Sequence, residues 1–217
     1  MKKYSLAFIV MMLISLITQA SNEAYEKAMQ KELQQMKVAK SPEDLQKVAN
    51  GFSRISEMVP EEWLPDYYAA LALVNAGFRS QGELEEKDAF FAQAKKHADK
   101  AAKISPNNSE IVALQGFVTM GELSADPNSR GQHLSGVAMQ TFGKAVDLNR
   151  QNPRAIMMLG QMELGMAQFF GQGPGKACGL INASLELFEK EAAIKEEGTL
   201  LPTWGKEMAL QIKETCQ

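Results

Sequence analysis

The chain has 217 residues, 45% of them hydrophobic but only 7% aromatic, and a formal net charge of −3 at pH 7. That length supports a sizeable core, and plentiful Ala, Met and Leu with few aromatics argue for close helix packing rather than a β-sandwich. The mild acidic balance, with no long basic run, argues against a nucleic-acid partner.

The first twenty residues stand apart. Lys2 and Lys3 give a positive start, residues 7–17 are apolar apart from Ser15, and Thr18-Gln19-Ala20 forms a small-residue cleavage site. This is the layout of a secretory signal peptide over residues 1–20, with cleavage between Ala20 and Ser21. The apolar run is shorter than the about 20 residues of a membrane helix, so no membrane span is expected once the signal is removed. An uncleaved anchor is the alternative. Residues 21–217 are expected to form a single domain of an exported protein, periplasmic or secreted. Cys178 and Cys216 are the only cysteines, and an even count in an exported chain invites a disulfide.

Apolar periodicity predicts a helix over 21–40, followed by a second that Ser41-Pro42-Glu43-Asp44 caps and Pro60 ends. Helix 63–78 is apolar almost all round, as a helix sandwiched by neighbours would be. Polar residues 79–87 read as a loop, 88–104 as an Ala-rich helix, and 109–120 as a helix opened by Asn107-Asn108. Residues 121–136, with Pro127, Gly131 and Gly136, read as an unusually long loop. Helices 137–148 and 153–169 follow, then a glycine-rich loop 170–176. Helix 177–195 has Leu180, Ala183, Leu187 and Phe188 inward, and the last helix, 202–216, is anchored by Trp204, Met208, Leu210 and Ile212. If the last two helices run antiparallel, Cys178 and Cys216 meet.

Three second helices share a frame: Val48, Phe52 and Ile55; Ala94, Ala98 and Ala101; Ala138, Phe142 and Ala145. Small residues Ala70, Gly116 and Gly160 sit inside the helices that follow. On these residues, with Leu159-Gly160 and Pro106, the stretch 45–188 resembles the tetratricopeptide repeat (TPR) family, whose pattern is Leu-Gly in the first helix and A-x-x-x-F-x-x-A then Pro around the second. The resemblance implies an all-α fold of antiparallel helix pairs, a short right-handed TPR-like α-solenoid with a C-terminal capping helix. It also implies a non-enzymatic module whose first helices line a groove for a peptide or partner protein. Tyr67 and Tyr68 are the candidate partner-binding residues, provided they are exposed. The spacing departs from the family: Phe52 to Ala98 is 46 residues and Ala98 to Phe142 is 44, against about 34. The surplus is assigned to loops 79–87, 121–136 and 170–176, which would project from one edge.

That edge supports a second reading, a small-ligand or glycan-binding protein, with Trp63, Tyr67, Tyr68 and Phe169 as stacking candidates. Chemistry is otherwise sparse. His97 and His133 have no second His or Cys at metal-ligand spacing. Glu61-Glu62 and Glu196-Glu197 read as solvated helix ends, and 171–176 lacks the strand and Ser/Thr of a phosphate loop. No cofactor, metal site or catalytic residue is expected.

Overall fold

The computed structural model describes residues 22–216, so the signal peptide expected over residues 1–20 and its expected cleavage pair, Ala20 and Ser21, lie outside the described residues. Among the described residues there are nine α-helices and no strand. They are α1 (22–38), α2 (Pro42–Met58), α3 (Leu64–Arg79), α4 (Leu84–Ile104), α5 (Ser109–Ala125), α6 (Pro127–Leu148), α7 (Pro153–Phe169), α8 (Gly175–Ile194) and α9 (Lys206–Glu214). Short connections make successive helices antiparallel neighbours. The odd-numbered helices α3, α5 and α7 also touch one another, forming a layer of their own. This is the all-α, repeated helix-pair architecture that the periodicity implies.

Local chemistry fixes the helix starts. The side chains of Ser41, Asn108, Asp126 and Asn152 each accept a hydrogen bond from a backbone N–H of the first turn, and Pro follows directly after Ser41, Asp126 and Asn152. The frame of the even-numbered helices is real and continues further than expected. Val48, Phe52 and Ile55 of α2, Ala94, Ala98 and Ala101 of α4, and Ala138, Phe142 and Ala145 of α6 are all buried. So are Ala177, Ile181 and Ser184 of α8, at the same spacing.

Glycine makes the seams. A Cβ on Gly116 of α5 would run into the Phe142 ring of α6, and one on Gly160 of α7 would meet Ile181 of α8 at 2.9 Å. The same position in successive repeats thus receives the central residue of the following helix. Phe91 of α4 lies against both Gly77 of α3 and Gly121 of α5, supplying the aromatic bulk that Ala98 lacks.

Three expectations are corrected. Residues 121–136 are not a loop: Asp126 alone separates α5 from α6, because its side chain caps Ser129 N and Pro127 starts the helix. Arg130 then holds the first turn of α6 to Asp88 of α4 with two 2.6 Å hydrogen bonds. The surplus residues of the long period therefore lengthen α4 to 21 residues and α6 to 22 rather than building a loop edge. The inward face of α8 is Ala177, Ile181, Ser184 and Phe188, and Ala183 is exposed. The last helix starts at Lys206, since Gly205 holds a left-handed φ of 111° that ends the extended segment before it.

The core runs through the whole array, and α3 is its centre, buried from Leu64 to Val74. Cys178 at the start of α8 and Cys216 after α9 form a disulfide with a Cα separation of 5.8 Å. It clamps α9 antiparallel against α8.

Candidate functional site

The site begins with charge placed at equivalent points of the repeat. Asp66, Glu110 and Arg154 fall 44 residues apart, in the first turns of α3, α5 and α7. Arg154 is 3% exposed, and a buried guanidinium needs partners on every side. Its Nε donates to Glu110 Oε2 at 2.8 Å, its Nη1 to Glu191 Oε1 at 3.0 Å and to the Trp204 carbonyl at 3.1 Å, and its Nη2 to Glu191 Oε2. The Phe188 ring lies 5.8 Å from its central carbon. Burial disfavours the charge, but hydrogen bonds to Glu191 and the Glu110 carboxylate outweigh it, so the Arg154 pKa is raised further above its ordinary value. One cation thus ties α5, α7, α8 and the segment before α9.

That segment lies across the odd-numbered layer, on the face that the TPR resemblance makes the groove. Tyr68 of α3 donates to the Leu200 carbonyl at 2.8 Å. Trp204 stacks on Phe117 of α5, with ring centroids 5.8 Å apart, and donates from Nε1 to the Tyr67 hydroxyl at 2.8 Å. Tyr67 in turn donates to Glu110 Oε2 at 3.3 Å. Burial and the Glu110 charge push the Tyr67 phenol well above its usual pKa, and burial does the same for Tyr68. Both remain neutral hydrogen-bonding groups. An aromatic row results, from Phe91 through Phe78, Phe117 and Trp204.

Beside this segment opens a cleft of about 550 Å³. Trp63, Ile194, Leu201 and Pro202 are its apolar walls; Asn108, Glu110, Arg154 and Glu191 form one polar side, and Lys195, Glu196, Thr199 and Thr203 the other. Ile194 is 82% exposed and Leu201 58%, a large apolar exposure for one opening. The volume lies within the range of small-molecule sites, roughly 300–1,000 Å³.

The expected site residues separate here. Tyr67 and Tyr68 are not surface residues: they are 0% and 4% exposed, because the C-terminal segment and Phe52 of α2 cover a helix that is apolar all round. Trp63 lines the cleft and meets Tyr67 edge-on at 5.5 Å. Phe169 meets Phe170 edge-on at the other end of α7, about 24 Å away at 1.5 Å per residue, and is 82% exposed. His97 contacts Asp66 at 2.7 Å on another side of the array, and His133 is exposed on α6. Among the described residues no three His, Cys, Asp or Glu side chains are placed to hold a metal ion. Lys176 of the glycine-rich stretch pairs with Glu163. Among the described residues no helix is long and apolar enough to cross a membrane.

Sequence reasoning missed Glu110, Arg154 and Glu191. The signal was present: a charge two residues after a capping Asn at the start of two successive odd-numbered helices, opposite in sign and one period apart. Trp204 was read as a helix anchor and instead belongs to the covering segment.

No family model matches the chain, and no curated protein matches it. Among solved structures, the HusA haemophore from Porphyromonas gingivalis is similar with a TM-score of 0.77 and 25% sequence identity, over 89% of this chain and 92% of that chain. The two share an all-α fold along nearly their whole lengths. The likeness is to a haemophore, and the TPR resemblance stands as one of helix-pair architecture.

Proposed function

We propose that this protein is an exported carrier of a flat, largely apolar small ligand of the tetrapyrrole class, haem first, held at the cleft beside residues 198–205. The observation that carries this reading is the likeness to a haemophore along almost the full length of both chains. The cleft supports it: it has apolar walls, convergent polar groups and unusual apolar exposure at its mouth. The disulfide fits an oxidising compartment, periplasmic or extracellular. A peptide groove is the weaker reading, because the likeness is to a haemophore, which favours a small ligand over a peptide.

The cleft lining contains no histidine, cysteine or methionine. The ring, rather than an axial bond to iron, supplies the affinity. The test is a titration of the purified protein with haemin, followed by the Soret band, alongside metal-free protoporphyrin followed by its fluorescence. Saturable binding of both, with affinities within about tenfold of each other, is expected. Failure of both to bind would sink the carrier reading, and binding of haemin alone would show that an iron ligand has been overlooked.

A further inference from the structure

The cleft as it stands is small in apolar wall for such a guest. Small-molecule sites bury roughly 70–90% of their ligand's surface, yet only Trp63, Ile194, Leu201 and Pro202 of the twelve lining residues are apolar, and the other eight are polar or charged. The larger apolar surface lies next to it, beneath residues 198–205. Tyr67, Tyr68 and Phe117 form that surface, and the indole of Trp204 lies on it as a flat aromatic group would.

The covering segment is lightly held. Among its residues only Pro202 is buried; Leu201 and Thr203 are exposed and Trp204 is half-buried. Its backbone is fixed to the odd-numbered layer by the Tyr68 hydroxyl on Leu200 O and by Arg154 Nη1 on Trp204 O. Gly198 and Gly205, with φ of 79° and 111°, bound it at both ends. Both angles belong to the left-handed region that glycine enters without strain, so backbone rotation at two residues reorients the whole stretch. Behind it the Cys178–Cys216 disulfide keeps α9 on α8 whatever the segment does.

We infer that residues 198–205 form a displaceable strap, and that the tetrapyrrole is taken onto the Tyr67, Tyr68 and Phe117 surface in place of the Trp204 indole. This deepens the carrier reading and rests on it. In the free protein Trp204 is the occupant of the site and keeps an aromatic surface from water. The ligand then competes with an internal group, and its apparent affinity is reduced by the fraction of molecules with the strap closed.

Two variants and one exchange measurement test this. Trp204→Ala removes the internal competitor, and Tyr68→Phe keeps the ring but removes the strap's hydrogen bond at Leu200. Each is expected to bind haemin more tightly, by about fivefold for the loss of one net hydrogen bond in Tyr68→Phe. Hydrogen–deuterium exchange of peptides covering 196–208 is expected to speed up when wild-type protein is saturated with haemin. Weaker binding by Trp204→Ala together with slowed strap exchange would mean that the indole stacks on the ligand under a closed strap, which overturns the inference and leaves the carrier reading intact. Unchanged exchange with unchanged Tyr68→Phe affinity would overturn it equally. Absence of any Soret change in wild-type protein overturns both. Should Trp204→Ala fail to fold, Tyr68→Phe and the wild-type exchange decide the matter.

Discussion

Asp66 is fully buried and remains a carboxylate because three helices converge on it. Burial pushes its pKa up, but hydrogen bonds from His97 of α4, Ser56 of α2 and Lys100 of α4 outweigh that and hold it below the ordinary aspartate range. A folded-state pKa below the unfolded one means that the native state binds fewer protons in acid. The stabilisation is complete above the unfolded pKa of about 3.9 and is lost as pH falls through the lowered folded value. Asp66→Asn is expected to cost about 2 kcal/mol at neutral pH, since it weakens hydrogen bonds to a charged group whose lysine partner is part-exposed. It should also flatten the acid limb of a plot of urea midpoint against pH. A mutant acid limb as steep as wild type would place the titration elsewhere. None of these contacts was readable in advance. His97 and Lys100 sit among other lysines in the sequence, and only the crossing of α2, α3 and α4 singles them out.

Helices are where the sequence was most informative and where its failures are physically specific. Helix α7 was legible to the residue because Asn152 caps it, Pro153 opens it and an apolar run fills it. Helix α6 was not, because Pro127, Gly131 and Gly136 spell a loop by composition. A capping aspartate and an arginine clamp to α4 override those weak propensities. Of the residues expected inward on α8, Phe188 is buried, Leu180 and Leu187 are half-buried with Leu180 against Gly160, and only Ala183 is exposed, because Ile181 and Ser184 take the centre of that face. The Cys178–Cys216 bridge was legible, since it needed only that the last two helices be antiparallel. It joins residues 38 apart, and on the loop-closure estimate it contributes about 4 kcal/mol. Reduction is expected to lower the unfolding free energy by that amount, and with it the melting temperature, while leaving α2 to α7 helical. Differential scanning calorimetry with and without a reductant that penetrates the fold measures it. An unchanged transition would show that α9 docks as firmly without its covalent tie.

At the scale of the whole molecule, the repeat explains the layers but not what covers them. Asp66, Glu110 and Arg154 recur every 44 residues, and the central residues of the α6 and α8 triads, Phe142 and Ile181, sit on Gly116 and Gly160 of the odd-numbered helix before each. Such an array leaves one face of the odd-numbered layer without a partner helix, and exposed aromatic surface of that extent would be a liability. The chain answers with its own residues 198–205, a solution that no periodicity could reveal because the segment has none. Replacing 199–204 by six Gly and Ser residues, with both cysteines and α9 retained, removes Trp204 from Phe117 and Pro202 from its buried seat. By analogy with removal of a large core side chain, at about 3–5 kcal/mol when fully buried, the half-buried Trp204 should contribute about 2 kcal/mol. The variant is therefore expected to keep its far-UV helical signal, to unfold at a lower urea midpoint, and to bind a hydrophobic dye more strongly than wild type. Haemin added to it should restore the lost stability, because a ligand that binds only the native state stabilises it by mass action. A variant that loses no stability would show that the segment is an inert crossing. One that loses stability and is not rescued by haemin would show that the covered face belongs to the core and not to the ligand.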